Sequence, residues 1–230
     1  MLVVGLGGIG CPAALALAHA GVGTLGLLDD DEVDETNLHR QILFSEADRG
    51  KPKVDAGARA LRQACARIEV HATRLLPSTW EIVRAYDIVV EGADNLPTKF
   101  LAADVARLSA RPVVHGAAVA WRGTVLAVGA DGGPCYRCLF EDIPDERAPS
   151  CDDAGVMGPV VGVVGALVAD RAIRLLRGEG RGSLTTFDGR VGALRERQLP
   201  ARPGCPLCGP TPAITAIDAE RYGGPGCASI

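Results

Sequence analysis

The sequence is poor in several features that mark whole classes of protein. Aromatic residues make up only 4% of its 230 residues, and 24 Lys and Arg residues are outnumbered by 28 Asp and Glu residues. Since nucleic-acid binding normally needs a basic patch, we expect no nucleic-acid partner. The 29 Gly and 15 Pro residues follow no fixed period, which excludes collagen-like and low-complexity chains.

Long apolar runs are also lacking. The longest run, residues 154–169, is shorter than the roughly 18 residues of a membrane span, contains Pro159 and lies between Asp153 and Asp170. The amino terminus has no charged start or cleavage site of a signal peptide. We therefore expect a cytoplasmic protein without membrane contact, whose eight cysteines serve metal binding or chemistry rather than disulfides.

What the sequence does have is a regular alternation of strand and helix patterns in its first half. Strands are predicted at residues 2–4, 24–28, 68–72, 87–91 and 112–115, and helices at residues 12–18, 51–67, 80–85 and 95–109. This alternation is typical of an α/β fold of the Rossmann-like, doubly wound kind with a mainly parallel sheet. Residues 1–115 are therefore interpreted as a nucleotide-binding half.

The second half has a different pattern. Strands are predicted at residues 123–128, 183–187 and 191–197, with an acidic loop at 141–153 and a helix at 159–177 between them. Because no long helix separates the last two strands, we expect an antiparallel extension of the sheet. Glycines spaced along the helical segment indicate close backbone packing, in the core or at a subunit interface. We predict one domain, residues 1–210, with 116–210 as its second half and 211–230 as an irregular tail.

A glycine-rich turn follows the first predicted strand. Gly5, Gly7 and Gly10 are spaced as in dinucleotide-binding loops, where the backbone turns tightly and the following helix presents its amino terminus to phosphate. Asp29 ends the second predicted strand, where a carboxylate can accept hydrogen bonds from ribose hydroxyls. These residues predict a nucleotide site and leave both NAD and ATP open.

Four cysteines form two C-x-x-C pairs, Cys135 with Cys138 and Cys205 with Cys208. Four thiolates suit a closed tetrahedral zinc site, so we predict a structural zinc that ties the end of the chain to its middle. One such pair alone could be a redox centre, whereas two pairs in a reducing compartment favour zinc.

Two cations and one carboxylate accompany the predicted nucleotide site. Arg40 and Lys53 follow the strand that ends at Asp29, and fixed positive charge there suits a triphosphate better than a nicotinamide. Asp94 follows the strand at 87–91 and is placed for a magnesium ion. The alternatives are ordinary surface charge for the cations, and a helix N-cap role for Asp94 or Asn95.

In combination these motifs resemble the ThiF/MoeB/HesA family, bacterial relatives of the ubiquitin-activating enzymes. The matching segments are residues 5–10, 29–41, 52–53, 93–95, 135–139, 151–164 and 204–209. The resemblance implies an ATP-dependent adenylyltransferase that activates the C-terminal glycine of a ubiquitin-like sulfur carrier, MoaD- or ThiS-like, for molybdopterin or thiamine synthesis.

The resemblance also implies roles for individual residues. The nucleotide-binding set is Gly8, Gly10, Asp29, Asn37, Arg40, Gln41, Lys53, Asp94 and Asn95. Of these, Gly8 would approach the nucleotide and Asp29 would hold the ribose. The phosphates would be contacted by Asn37, Arg40 and Lys53, and the magnesium ion would be held by Asp94. Arg40, Lys53, Asp94 and Cys151 are the expected catalytic residues, Cys151 matching a position where some members form a persulfide or a covalent link to the carrier. The expected cofactors are ATP, Mg²⁺ and Zn²⁺.

The expected partners are a carrier ending in Gly-Gly, a second copy of the chain, and a sulfurtransferase or cysteine desulfurase. Members of the family have a helical segment before the first strand that sends an arginine into the neighbouring subunit's site. We expect either that the natural chain starts upstream of Met1 or that its nucleotide site has one cation fewer. Two other functions stay open: an NAD(P)-dependent oxidoreductase, and a catalytically inactive, zinc-stabilised carrier-binding module.

Overall fold

A computed structural model describes residues 1–131, 133–143 and 155–222, which form one eight-stranded sheet with helices on both faces. The strands are β1 (Leu2–Val4), β2 (Thr24–Leu28), β3 (Arg67–His71), β4 (Val89–Glu91), β5 (Val113–Val119), β6 (Arg122–Val128), β7 (Ser183–Asp188) and β8 (Ala193–Gln198). The helices are α1 (Gly10–His19), α2 (Lys53–Leu61), α3 (Leu96–Leu108), α4 (Tyr136–Leu139) and α5 (Gly158–Leu176). Short 3-10 helices cover Glu35–Asn37, Glu46–Asp48, Trp80–Ala85 and Ala219–Tyr222.

The strand order is β3-β2-β1-β4-β5-β6-β7-β8. Strands β1 to β5 pair in parallel, whereas β5, β6, β7 and β8 pair antiparallel in sequence order. The predictions of a mainly parallel α/β sheet and of an antiparallel extension are therefore confirmed. Strand β5 belongs to both parts, since residues Val113 to His115 also pair with β4.

Two hydrophobic cores lie on opposite faces of the sheet because successive strand residues point to opposite sides. Helices α1, α2 and α5 cover one face, and α3, α4 and the segment around Cys205 cover the other. On the first face α5 approaches α1 closely, since a Cβ added at Gly165 would lie 2.6 Å from the carbonyl oxygen of Ile9. Close backbone packing in the core, one of the two places expected for it, therefore occurs at Gly165.

Several predicted boundaries move. The helix predicted at 51–67 begins at Lys53, after Pro52, and ends at Leu61, because the next residues form a turn that leads into β3. The strand predicted at 112–115 continues to Val119 because β6 pairs with it along its whole length. Among the described residues, none of the helices combines the length and apolarity needed to cross a bilayer.

Residues 211–222 are the described part of the predicted tail, and they pack on the α3 face of the sheet. Ile214 and Tyr222 are buried there, and the Tyr222 hydroxyl donates to Asp104 Oδ2 at 2.7 Å. Burial raises the pKa of Tyr222, and the neighbouring Asp104 carboxylate raises it further. Most of the predicted acidic loop, with Cys151, lies outside the described residues.

Candidate functional site

The glycine turn between β1 and α1 is a tight one that only glycine fits. Gly5 has a φ of +85°, a conformation that favours glycine. A Cβ at Gly10 would overlap the carbonyl oxygen of Gly5 and lie 2.9 Å from its carbonyl carbon. The turn therefore brings the first amides of α1 to the carboxyl end of β1, an arrangement that binds anions.

Asp29, at the end of β2, holds this turn in place. Its Oδ2 accepts the amide of Leu6 at 2.6 Å, and its Oδ1 accepts the amide of Asp31 at 2.9 Å. Burial raises the pKa of Asp29, an effect that the Lys53 ammonium partly opposes. Each carboxylate oxygen has a further lone pair, so the residue can still accept hydroxyl groups of a ligand.

Lys53 lies at the first position of α2, with its side chain directed toward the same edge of the sheet. Its Nζ donates to Asp31 Oδ2 at 2.7 Å, while its backbone amide donates to the Asp31 carbonyl. The Lys53 side chain is buried, whereas that of Asp31 is 56% exposed. A bound anion would therefore compete with Asp31 for an ammonium that is already positioned.

Arg40 lies over the glycine turn. A Cβ at Gly8 would come within 3.4 Å of Arg40 Cγ and Cδ, and within 3.1 Å of Val161 Cγ2. The turn that carries Arg40 is closed by its own backbone, because the amides of Arg40 and Gln41 both donate to the carbonyl of Asn37. Arg40 makes no ion pair with the part of the chain that the structure describes.

Gln41, in the same turn, is 3% exposed, and its Oε1 is buried without a hydrogen-bond partner among the described residues. An unpaired buried polar atom is unfavourable, so this oxygen is available to a ligand. Asn37 is half-buried and lies one helical turn before Gln41. The predicted residues Gly8, Asn37, Arg40 and Gln41 are thus brought together.

Asp94 lies in the loop after β4, beside the glycine turn. A Cβ at Gly5 would lie 3.2 Å from the amide nitrogen of Ala93, so the two loops are in direct contact. Asn95 Oδ1 accepts the amide of Thr98 at 2.9 Å and is the N-cap of α3, as one alternative predicted. Asp94 is exposed and its carboxylate pairs with none of the described residues, which suits a magnesium ion shared with substrate phosphates.

A buried charged cluster under this loop has no counterpart among the sequence predictions. Glu91, at the end of β4, is fully buried and accepts hydrogen bonds from Lys99 Nζ at 3.0 and 3.1 Å and from His115 Nδ1 at 3.0 Å. Burial raises the pKa of Glu91, but Lys99 and His115 outweigh this and hold it below its usual range. The signal that could have found the cluster is an acidic residue within an otherwise apolar buried strand.

The four predicted zinc ligands meet on the α3 face. Cys135 Sγ lies 3.9 Å from Cys138 Sγ and 3.5 Å from Cys205 Sγ, and Cys138 Sγ lies 3.4 Å from Cys208 Sγ. All four sulfur atoms are within 4.8 Å of one another. A tetrahedral zinc with Zn–S bonds of about 2.3 Å needs sulfur atoms about 3.8 Å apart, so the cluster fits that ion.

The surroundings of the cysteine cluster also favour ionisation of one thiol. Burial raises the pKa of Cys205, but hydrogen bonds with the amides of Cys208 and Leu207 and with the thiols of Cys135 and Cys208 outweigh it and lower that pKa to about 7. Burial beside the other thiols raises the pKa of Cys208 to about 12. Four thiols with one favoured thiolate suit a metal ion, because a bound cation favours deprotonation of the thiols that coordinate it.

The comparison with protein families gives a match to the model described as the ThiF family, over residues 1–207. The adenylyltransferase and sulfurtransferase MOCS3 of Anopheles gambiae is 43% identical over 233 aligned positions, which cover 97% of this chain and 53% of that protein. MOCS3 of Mus musculus is 42% identical over 97% of this chain and 51% of its own length. The chain thus spans about half the length of these curated relatives.

Solved structures share the fold. MccB of E. coli crystallised with ATP superposes with a TM-score of 0.76 at 22% identity, over 90% of this chain and 66% of that one. Selenomethionyl PaaA gives 0.70 at 22% identity, over 86% and 62%. Because the family match extends through both halves of the sheet, the chain belongs to the ThiF family.

Proposed function

We propose that the protein is an ATP-dependent adenylyltransferase that activates the C-terminal glycine of a ubiquitin-like sulfur carrier. The surroundings of the glycine turn carry this proposal: Arg40 lies over Gly8, and the loop of Asp94 contacts Gly5. Lys53 is paired with Asp31, whose amide is bound by the same Asp29 carboxylate that binds the turn. Two positioned cations suit a triphosphate better than a nicotinamide, which needs no further phosphate-binding cation. The MOCS3 relatives, named adenylyltransferases and sulfurtransferases, support the same reaction class.

In the proposed reaction the carrier's carboxylate attacks the α-phosphorus of ATP. A new bond forms between carboxylate oxygen and phosphorus, the bond to the bridging oxygen of the β-phosphate breaks, and pyrophosphate leaves with the electron pair. No general base is needed because a terminal carboxylate is ionised at neutral pH. The difficulty is negative charge approaching negative charge, which positioned cations relieve.

The proposed role of each residue follows from its position in the site. Asp29 orients the ribose, the turn at Gly8 admits the phosphates close to the backbone, and Arg40 and Lys53 balance their charge. Asp94, with Asn95 fixing the start of α3 beside it, would hold Mg²⁺, which supplies further neutralisation of the phosphates. Holding the carrier's tail in line with the leaving group supplies much of the remaining rate enhancement.

Zn²⁺ on Cys135, Cys138, Cys205 and Cys208 is proposed as structural, because four thiolates leave no open coordination position. The zinc would join α4 to the segment after β8 on the α3 face. Cys151 is proposed as the residue that links to the carrier or carries a persulfide, and it lies outside the described residues.

The proposed partners are a carrier ending in Gly-Gly, a sulfurtransferase or cysteine desulfurase, and a second copy of the chain. Space beside Gly162 and the exposed Val163 on α5 support the last of these. Sedimentation at micromolar concentration tests it, and a monomeric mass would contradict it. The proposed location is the cytoplasm.

The experiment that tests the function is carrier-dependent exchange of labelled pyrophosphate into ATP, with a panel of MoaD- and ThiS-like carriers. Exchange with one carrier, lost in Asp94→Ala, is the expected result, and the active carrier identifies molybdopterin or thiamine synthesis. Thermal stabilisation by ATP with Mg²⁺ but not by NAD is expected alongside, at about 2.7 kcal/mol for a ligand at a hundred times its Kd. Stabilisation by NAD alone would favour an oxidoreductase, and carrier binding without exchange would favour an inactive module.

A further inference from the structure

The buried cluster of Glu91, Lys99 and His115 has one contact that leads into the candidate site. Glu91 Oε1 accepts the backbone amide of Ala93 at 2.6 Å, the shortest hydrogen bond of the cluster. Ala93 is the residue before Asp94. The orientation of the backbone that carries the Asp94 carboxylate therefore depends on where the Glu91 carboxylate is held.

Glu91 itself is held firmly. Lys99 Nζ, from α3, bonds to both carboxylate oxygens and also donates to the carbonyl of Gly116 at 2.7 Å. His115 Nδ1, from the neighbouring strand β5, donates to the second oxygen. The carboxylate is thus fixed from a helix and from a strand, and both side chains that bind it are buried.

Stability alone does not account for such a cluster. Replacing a buried ion pair by apolar side chains of similar volume is often neutral or even stabilising. The loop after β4 gains a specific shape from the cluster, because its beginning is tied to Glu91 through Ala93 and its end to α3 through Asn95. Between these two ties Asp94 has no partner of its own among the described residues.

We propose that Glu91 is a positioning residue for Asp94, and that Lys99 and His115 act as the clamp that holds Glu91 in the required place. The proposal rests on the proposed function, since it assumes that Asp94 serves Mg²⁺ bound with ATP. Outer partners of a metal ligand fix its direction, and their loss typically weakens metal binding by about 10- to 100-fold.

His115 also connects this clamp to the cysteine cluster. With Nδ1 donating to Glu91, the neutral ring leaves Nε2 as an acceptor, and that atom is buried without a partner among the described residues. The ring centroid lies 4.8 Å from that of Tyr136, which stands between Cys135 and Cys138. The segment of the cysteine cluster therefore packs, through one ring contact, against the same clamp that shapes the loop of Asp94.

A double-mutant cycle tests the proposal. Glu91→Gln keeps the side-chain size and removes the charge, and Asp94→Asn removes the proposed ligand. The gain in Tm from ATP with Mg²⁺ over ATP with EDTA is measured for every variant. The Mg²⁺ concentration that gives half-maximal pyrophosphate exchange is measured for the variants that retain Asp94. Asp104→Asn is the matched control for lost stability, because it removes the charge of a second fully buried carboxylate, which lies on α3.

We expect Glu91→Gln to raise the half-saturating Mg²⁺ concentration about tenfold and to lose most of the Mg²⁺-dependent gain in Tm. In the Asp94→Asn background, where exchange is expected to be lost, it should change the Mg²⁺-dependent gain in Tm no further, because two changes that act through one ligand are not additive. Asp104→Asn should lower the Tm without ligand and leave the Mg²⁺ dependence of wild type. Unchanged Mg²⁺ dependence in Glu91→Gln, or full additivity with Asp94→Asn, would overturn the proposal.

His115→Phe provides a second variant if Glu91→Gln does not fold. It keeps a ring against Tyr136 and removes the donor to Glu91, so we expect a shift in the same direction of about threefold, the effect of one weakened hydrogen bond. An unchanged Mg²⁺ dependence would refute the clamp. Failure of the proposed function can be distinguished from failure of the positioning role. If ATP with Mg²⁺ stabilises the wild-type protein but no carrier supports exchange, adenylation is refuted. The positioning role can then still be tested by Tm. Wild type without any Mg²⁺-dependent gain refutes both.

Discussion

Gly8 and Gly10 are two positions apart in one turn, but the same added methyl group should affect different properties at the two positions. We expect a loss of stability at Gly10 and a loss of ATP binding at Gly8. At Gly10 the new Cβ would overlap the carbonyl oxygen of Gly5 and come within 2.9 Å of its carbonyl carbon. Both are backbone atoms, so the turn itself must open. We expect Gly10→Ala to destabilise the fold by about 3 kcal/mol, as overpacking does at its upper range.

At Gly8 the atoms that the methyl group meets belong to flexible side chains. Val161 Cγ2 at 3.1 Å and the Arg40 methylenes at 3.4 Å can move by a few tenths of an ångström. Gly8→Ala should therefore keep its Tm within about 2 °C of wild type, since about 1 kcal/mol corresponds to 2–4 °C in a chain of this size. Its methyl group would occupy the space through which, in the proposed function, phosphate approaches the backbone, and it would displace Arg40.

Thermal unfolding and calorimetric titration with ATP and Mg²⁺ separate the two effects. Gly10→Ala should melt about 6–12 °C below wild type, from 3 kcal/mol at 2–4 °C per kcal/mol. Gly8→Ala should bind ATP at least about tenfold more weakly, which is 1.4 kcal/mol, at nearly unchanged Tm. A Gly10→Ala protein that melts with wild type, or a Gly8→Ala protein that binds ATP as wild type does, would refute the reasoning.

Three further predictions concern other parts of the molecule. Arg40→Ala should lower carrier-dependent pyrophosphate exchange by about 10²- to 10³-fold, the effect of removing one charge-stabilising donor, with an unchanged Tm; equal losses of activity and Tm would contradict this. Cys205→Ser should lower the metal content, measured by mass spectrometry under native conditions, from one Zn²⁺ per chain toward none and lower the Tm, whereas Cys65→Ser should retain the metal. Asp48 is buried, which raises its pKa, but hydrogen bonds from Arg59, Ser45 and Lys51 outweigh this and lower the pKa to about 2. Because the folded-state pKa is depressed, this stabilisation of about 2 kcal/mol is present above pH 4 and lost as the pH falls from 4 to 2. Urea unfolding of Asp48→Asn should therefore show the loss at pH 7 and little of it at pH 2, and a constant difference between the two pH values would contradict the argument.

Features that depend on short spacing could be predicted from the sequence. The glycine turn, the two cysteine pairs and the strand of Thr24–Leu28 each rest on a pattern a few residues long, and the structure has them at the predicted positions. The sequence offers both Asp94 and Asn95 as the helix cap, and the structure has Asn95 in that position, with its side chain accepting the amide of Thr98.

Features that depend on register could not be predicted. The pairing of Glu91 with His115 requires β4 and β5 to be neighbours with one particular alignment, and the same alignment places both side chains on the α3 face. The ion pair of Lys53 with Asp31 requires the bridge that brings Glu32 beside Pro52. Long-range pairs of this kind come from the packing of elements far apart in the chain, which local patterns do not encode.

The cysteine cluster has a topological consequence. Each contact between its two pairs joins residues 70 positions apart, and the chain between them contains α5, β7 and β8. With a metal ion bound, this stretch becomes a closed ring that includes the two outermost strands of the sheet. A permanent cross-link around a ring of this size would reduce the entropy of the unfolded chain and thereby raise its free energy by about 4 kcal/mol at 25 °C. The outer strands can then unpair without their ends separating, so the edge of the sheet should re-form as a local event rather than by a search of the whole chain.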